Sequence, residues 1–136
     1  MAKPINESLS DRATVRARTS DKTVHRMFDF LTQAAERDGW RLVYYKAAHC
    51  AVQFHWGTGL KSYRHSFIVN VGDLLFYVRS HAIETHPLWP EIASRAFPAS
   101  AVRVDANDRH ETTVRLSSLK DAELIEQLFL RPLPSL

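Results

Sequence analysis

The stretch FIVNVGDLLFYV, residues 67–78, decides the fold prediction. Two runs rich in β-branched and aromatic residues flank Gly72-Asp73, a dipeptide typical of a two-residue hairpin turn because glycine takes positive φ without strain. That turn places Val71 opposite Leu74 and aligns one wholly apolar face of the hairpin. We predict that this face is the centre of the core: Phe67, Val69, Val71, Leu74, Phe76 and Val78.

A long amphipathic helix is predicted before the sheet. It should begin near Asp21, with Ser20 or Asp21 as the N-cap, since both side chains can accept a hydrogen bond from the first helical turn. Asp38-Gly39 should end it, because glycine accepts the left-handed conformation at a helix terminus. The apolar residues between these signals have the spacing of one buried stripe: Val24, Met27, Phe28, Leu31 and Ala35.

Two further hairpins are predicted by alternation of side chains. Strands 41–46 and 50–56 are expected to turn at Ala47-Ala48, which places Val43 opposite Val52, Tyr45 opposite Cys50 and Arg41 opposite Phe54. Strands 101–105 and 111–116 flank a polar five-residue loop at 106–110. That loop length places Val102 opposite Val114 and Val104 opposite Thr112.

Two shorter helices complete the prediction. One spans residues 85–97, with Pro87 and Pro90 admissible only in its first turn. Its expected buried side is Leu88, Trp89, Ile92, Ala93 and Ala96. The last helix spans about 119–130 with Ser118 as its cap. Its expected stripe is Leu124, Ile125, Leu128 and Phe129.

The predicted class is α+β. The order α-ββ-ββ-α-ββ-α favours a largely antiparallel sheet of about six strands with the helices packed on one face, since hairpin connections join antiparallel neighbours. Residues 21–131 are expected to form a single domain. Residues 1–20 lack hydrophobic periodicity and are interpreted as a flexible basic tail, and residues 132–136 as a short C-terminal tail.

Composition excludes several classes of protein. The chain of 136 residues is 45% hydrophobic and 24% charged, which is ordinary for a globular domain, and no apolar run approaches the ~20 residues of a membrane helix. The N-terminus lacks the apolar stretch of a signal peptide. Cys50 is the single cysteine, so an intrachain disulfide cannot form. We therefore expect a cytoplasmic protein with no membrane association.

The net charge of +3 is unevenly distributed. Residues 1–20 contain four cationic and two acidic residues, a net +2, which leaves +1 for the rest of the chain. A folded nucleic-acid-binding domain usually has a basic stripe on one face. The charge distribution therefore weakens that interpretation for the folded part.

The residues with reactive side chains do not form a recognisable site. His49 and His55 share a face of one predicted strand but lie about 20 Å apart along it, too far for one metal ion. Cys50 is expected among apolar residues, as a small buried thiol. The loop beginning Gly57-Thr58-Gly59 leads to a strand rather than to a helix, unlike a phosphate-binding loop. The acidic turn at Asp105 lacks EF-hand spacing. We predict no metal, no cofactor and no catalytic residue.

The face of the sheet turned away from the helices is the candidate functional surface. We call it the outer face, and it combines aromatic, aliphatic and cationic side chains, a mixture enriched at protein interfaces. Its predicted members are Tyr44, His55, Ile68, Leu75, Tyr77, Arg79, Arg103 and Arg115. Ile68, Leu75 and Tyr77 are more apolar than nucleic-acid contact requires. We therefore predict a small non-enzymatic interaction module that self-associates or binds a protein partner through this face.

Two other functions remain open. A nucleic-acid-binding module is the alternative, with Arg12, Arg16 and Arg18 of the N-terminal segment as phosphate contacts and aromatic residues of the outer face as stacking platforms. An enzyme is the third interpretation. Catalytic groups can converge from distant positions in a chain, so the lack of a motif does not exclude it.

Overall fold

The computed structural model describes residues 8–105 and 111–131. The strands are β1 (Ser8–Leu9), β2 (Arg41–Lys46), β3 (Cys50–His55), β4 (Tyr63–Val69), β5 (Leu74–Val78), β6 (Val102–Val104) and β7 (Thr112–Leu116). The helices are α1 (Arg12–Arg16), α2 (Lys22–Arg37), α3 (Ser80–Thr85), α4 (Trp89–Ala96) and α5 (Leu119–Ile125), which continues as a π-helical turn over Glu126–Leu130.

The strands form one antiparallel sheet in the order β1-β2-β3-β4-β5-β7-β6, which confirms the predicted α+β class. The six predicted strands are present, and the two-residue β1 adds a seventh at one edge. β4 is the central strand of the seven. The core lies between the helices and the sheet face that includes Val52, Phe54, Phe67, Phe76 and Val114, all completely buried.

Helix α2 confirms the prediction from its stripe and its caps. Asp21 is the N-cap and accepts a hydrogen bond from the backbone N–H of Val24 at 3.0 Å. All five residues of the predicted stripe are completely buried. Gly39 follows the helix with φ +101°, the left-handed conformation expected at this terminus.

The hairpin between β4 and β5 turns one residue earlier than predicted. Phe67 opposes Phe76 and Val69 opposes Leu74, so the sharp connection is centred on Val71 and Gly72. The backbone N–H of Asn70 donates to the carbonyl of Asp73 at 3.0 Å, and the Asn70 amide binds the Asp73 carboxylate at 2.8 Å. Gly72 does not take positive φ. This polar closure replaces the predicted Gly72-Asp73 turn.

The shifted turn preserves five of the six predicted core residues. Moving the turn by one residue changes each pairing by two positions along the strand, and side chains alternate with a period of two. Phe67, Val69, Leu74, Phe76 and Val78 therefore still face the core and are at most 1% exposed. Val71 was predicted wrongly. It lies in the turn itself and is 63% exposed.

The β2–β3 register was also predicted wrongly. Three residues rather than two form the turn, with the N–H of Ala47 donating to the carbonyl of His49 at 3.1 Å. Tyr44 consequently opposes Val52, and Val43 opposes Gln53. A shift of one position inverts the faces of a strand, so Leu42 and Tyr44 pack against the core while Val43 and Tyr45 lie on the outer face.

The third hairpin has the predicted register, with Val102 opposite Val114 and Val104 opposite Thr112. Its predicted loop, residues 106–110, lies outside the described residues, as does the predicted C-terminal tail 132–136. Ser118 caps α5 as predicted and accepts a hydrogen bond from the Asp121 N–H at 3.2 Å. In the predicted stripe, Ile125 and Phe129 are buried and Leu124 and Leu128 are partly buried.

The helix predicted over 85–97 is shorter in the structure, and a second short helix precedes it. Helix α4 begins only at Trp89, with Pro90 in its first turn, and Leu88 before it is 66% exposed rather than buried. Helix α3, for which the sequence predicts no element, directly follows β5. Its Ala82 and Ile83 are buried. Two short helices thus replace the single predicted one.

The N-terminal segment is folded from Ser8 onward, in contrast to the flexible tail predicted for residues 1–20. Strand β1 pairs with β2, and Val15 of α1 is completely buried. The hydroxyl of Thr19 donates to the carbonyl of Val71. One buried valine and partners far along the chain leave no periodic signal, which is why this segment was predicted wrongly. Residues 1–7 lie outside the described residues.

Candidate functional site

The outer face of the sheet forms three rows of side chains that run across the strands. The register of the strand pairs places the apolar row at one end: Leu9, Tyr45, Ala51, Ile68 and Leu75, followed by Arg115. The middle row contains Val43, Gln53, Ser66, Tyr77, Thr113 and Arg103. The charged row contains Arg41, His55, Tyr63, Arg79 and Glu111.

The charged row is held together by stacked rings and one ion pair. The His55 ring stacks on Tyr63 with centroids 5.4 Å apart. The Arg79 guanidinium lies 5.2 Å from the ring of Tyr63 and 5.2 Å from the ring of Tyr77. Arg79 Nε also lies 3.3 Å from the Glu111 carboxylate. Arg79 is therefore held beside two tyrosine rings, between Tyr63 and Glu111 in the row.

Glu111 anchors this arrangement to the backbone. Its Oε2 accepts a hydrogen bond at 3.1 Å from the Ser80 N–H, at the start of α3, and the same oxygen meets Arg79. The backbone of Arg79 is held as well, because its N–H donates to the Arg64 carbonyl at 3.0 Å. The Arg79 side chain is thus oriented by both its own strand and its neighbour.

Two hollows flank the ridge formed by Tyr77 and Arg79. The first has a volume of about 330 Å³, and its lining includes the small side chains of Ala51 and Ser66. The second, about 540 Å³, lies over Thr113 between Tyr77 and Arg103. Tyr77 and Arg79 line both hollows. The outer face therefore has one ridge with a hollow on each side.

The structure places seven of the eight predicted outer-face residues together. His55, Ile68, Leu75, Tyr77, Arg79, Arg103 and Arg115 all lie on this face. Tyr44 was predicted wrongly, because the three-residue turn between β2 and β3 rotates it toward the core, where its ring packs 6.5 Å from Phe28. Its sequence neighbours Val43 and Tyr45 lie on the outer face instead.

Two of the three N-terminal arginines are committed to an internal contact. Arg12 and Arg16 both pair with Asp29 on α2, and the Arg12 guanidinium lies 5.0 Å from the Phe28 ring. Burial alone would raise the pKa of Asp29, but the hydrogen bonds from Arg16 and Arg12 outweigh it and hold the pKa below its usual value. Arg18 is exposed. The structure does not gather the three arginines into a common phosphate-binding surface.

Sequence reasoning missed a serine–histidine pair beside the outer face. The Ser62 hydroxyl lies 2.9 Å from His55 Nδ1, and His55 Nε2 lies 3.0 Å from the Gln53 amide oxygen. Ser62 is 6% exposed, so its hydroxyl has little access to a substrate. The pair connects the loop between β3 and β4 to His55 at the end of β3. The spacing of Gln53 and His55 on one strand face was the available signal.

Tyr63 and Glu111 were the other important omissions. No role was predicted for Tyr63, whose position opposite His55 depends on the bulge between β3 and β4. Glu111 is the first residue of the predicted strand 111–116, and no role was predicted for it either. Neither residue belongs to a motif, and pairing between distant strands had to be known before their contacts could be inferred.

Two further reactive groups, His65 and Cys50, are internal. His65 is completely buried among aromatic rings, 5.3 Å from Trp40 and 5.4 Å from Phe76. Burial lowers the pKa of His65 to about 3. Cys50 is 5% exposed and faces the core, as predicted for a small buried thiol. In the described ranges, no three histidine, cysteine or acidic side chains are arranged to hold a metal ion.

Comparisons with family models, curated proteins and solved structures give no match to this chain. Function is therefore inferred from the outer face alone. Within residues 8–105 and 111–131, no helix has the length and apolar character needed to cross a bilayer.

Proposed function

We propose that this protein is a small non-catalytic module that self-associates through its outer face. The observation behind the proposal is the apolar row. Ile68 and Leu75 lie side by side at its centre and remain partly exposed, although the described helices all pack on the opposite side of the sheet. A continuous apolar strip of this kind gains stability when a second surface removes it from water.

The charge of the outer face favours a second copy of the chain as the partner. A surface that meets itself must be self-complementary and needs both signs of charge. Glu111 and Asp105 accompany the cationic residues Arg41, Arg79, Arg103 and Arg115 on this face. A surface that binds nucleic acid typically presents cations without carboxylates among them, because it contacts phosphate groups.

The size of the outer face suits a small homodimer interface. The strands β2, β3, β4, β5 and β7 have five to seven residues each, about 18 Å along the strand, and together they are about 19 Å wide. With the short strands β1 and β6 the projected area is roughly 400 Å². That area is below the about 800 Å² per partner of a standard interface, so we expect a weak dimer.

Nucleic-acid binding has less support, since Arg12 and Arg16 are already paired with Asp29. Catalysis has less support because the Ser62 hydroxyl, which contacts a histidine, is nearly inaccessible.

The cellular location is proposed from the cysteine content. A single cysteine fits a reducing compartment. We therefore propose the cytoplasm.

The experiment compares the mass of the protein in solution with that of Tyr77→Glu. We expect a dimer whose dissociation constant rises at least tenfold in the variant, because a carboxylate at the ridge is desolvated against the second copy. Leu88→Glu is the matched control, since Leu88 is 66% exposed on the helical side of the molecule. It should leave the dimer intact. A monomeric wild-type protein at high micromolar concentration would overturn the proposal.

A further inference from the structure

We infer that the two-fold axis of the dimer runs parallel to the strands directly above β4, so that the apolar row of one copy covers the apolar row of the other. The inference rests on the proposed self-association and specifies its geometry. β4 is the middle strand of the sheet, with three strands on each side. An axis above it therefore brings the whole outer face of each copy over the other.

Rotation about this axis reverses the order of the strands in the second copy. Each row of one copy still faces the same row of the other. β5 of one copy then lies over β3 of the other, and β7 lies over β2. Ile68, on the axis, meets Ile68 of the second copy, and Leu75 meets Ala51. Arg115, which is paired with Asp73 of its own copy at 2.7 Å, meets the ring of Tyr45, where a guanidinium beside an aromatic face is favourable. Apolar side chains are thus buried against apolar side chains.

The charged row is complementary under the same operation. Glu111 of one copy lies over Arg41 of the other, so opposite charges meet twice by symmetry. Arg79 lies over His55 of the second copy. Burial, followed by the nearby positive charge of Arg41, lowers the pKa of His55, so this imidazole is neutral near pH 7 and does not repel Arg79. The stack of His55 on Tyr63 fixes the orientation of the imidazole in this row.

The other axis that superposes the two faces runs across the strands through the middle row. It would place each strand over its own copy and invert the rows. Arg115 would then face Glu111 and Arg41 would face Tyr45, so this axis provides the same number of favourable charged contacts. Leu75, however, would be buried against Arg79, and the two Arg103 side chains would face each other. The apolar row would lose its apolar partners, and this loss disfavours the second axis. Both axes align the strands of the two sheets. The choice between the axes therefore depends on which side chains face each other.

The test uses the fact that a residue on a two-fold axis meets its own copy. Ile68→Glu and Ile68→Lys should each weaken the dimer at least tenfold, because each places two like charges together. An equimolar mixture of the two variants should recover the dimer, since glutamate then faces lysine. Native mass spectrometry distinguishes the heterodimer from both homodimers by mass.

Leu75→Glu and Leu75→Lys form the matched control pair. Leu75 is the cross-strand neighbour of Ile68 but lies off the axis, so mixing these two variants should yield only the statistical proportion of heterodimer. Tyr63 also lies on the axis, and the same pair of substitutions there is a second readout if the Ile68 variants unfold. Circular dichroism checks the fold of every variant.

The possible results distinguish a wrong axis from a failure of self-association. A monomeric wild-type protein overturns the self-association itself. A wild-type dimer in which the Leu75 pair, and not the Ile68 pair, recovers on mixing overturns the axis and leaves self-association standing. The same conclusion follows if neither pair recovers, since no on-axis position then meets its copy. Recovery by the Ile68 pair alone supports the axis above β4.

Discussion

Arg16 of α1 and Asp29 of α2 form a two-pronged ion pair, with Nε–Oδ1 and Nη2–Oδ2 distances of 2.9 Å each. Arg12 binds the same carboxylate. The pair joins the first folded segment of the chain to the longest helix. It therefore helps to hold residues 8–20 on the domain, together with the β1–β2 pairing and the buried Val15.

We predict that Asp29→Ala lowers the free energy of unfolding by about 1 to 2 kcal/mol, because two guanidinium groups lose their charged acceptor. Limited trypsin digestion should also cleave after Arg12, Arg16 and Arg18 sooner in the variant. Urea titration measures the first effect and mass spectrometry of the digest the second. Glu36→Ala, an exposed carboxylate on the same helix, is the control and should change stability by less than about 0.5 kcal/mol. Equal digestion of the two variants would contradict the role of the ion pair.

The two glycines that served as turn signals in the sequence should respond oppositely to alanine. Gly39 has φ +101°, and an added Cβ would lie 3.3 Å from the Trp56 ring. We expect Gly39→Ala to lose about 1 to 2 kcal/mol of stability. Gly72 lacks positive φ, and a Cβ added there would have no other atom within 4 Å. Gly72→Ala should be neutral or stabilising by roughly a few tenths of a kcal/mol, since alanine reduces the entropy of the unfolded chain. Thermal unfolding of both variants measures the difference.

The buried imidazole of His65 should make the fold sensitive to acid. Its pKa is lowered to about 3 by burial, below its usual value near 6.5, so the unfolded chain binds a proton that the native protein does not. Stability is therefore unaffected above pH 6.5 and falls as the pH drops from there toward 3. Between pH 7 and pH 5 this group alone contributes a loss of about 2 kcal/mol.

His65→Leu isolates that contribution, because leucine fills much of the space and does not titrate. Urea unfolding at pH 7 and at pH 5 should show a smaller loss of stability on acidification in the variant than in the wild-type protein. His25→Leu is not a suitable control, since His25 binds the carbonyl of Thr19 at 2.7 Å. His49→Leu, in the exposed turn between β2 and β3, is preferable. Identical pH dependence in wild type and His65→Leu would remove His65 as the cause.

The elements predicted correctly are those whose signals are local. The stripe and caps of α2 lie within 19 residues of sequence, and each is sufficient to predict a helix. The β6–β7 register followed from the length of the polar loop between two alternating strands. The core face of β4 and β5 was correct even though their turn was displaced, because a two-residue change of register leaves every side chain on its own face.

The errors arose where a turn had no distinctive chemistry. Ala47, Ala48 and His49 contain neither glycine nor proline, so the sequence did not indicate whether two or three residues connect β2 to β3. One additional residue inverted the face assignment and removed Tyr44 from the candidate site. The contacts of Val15 and Arg16 with distant parts of the chain likewise had no local signature.

The amino-acid sequence alone determined α2, α5, the six longer strands and most of the side chains that they bury. Those properties depend on periodicity and capping over a few residues. Only the tertiary structure decided that Tyr63 and Glu111 contact Arg79 and that the outer-face residues form rows across five or more strands. Such rows depend on the registers of successive strand pairs, and each register is set by burial of one face over the entire sheet.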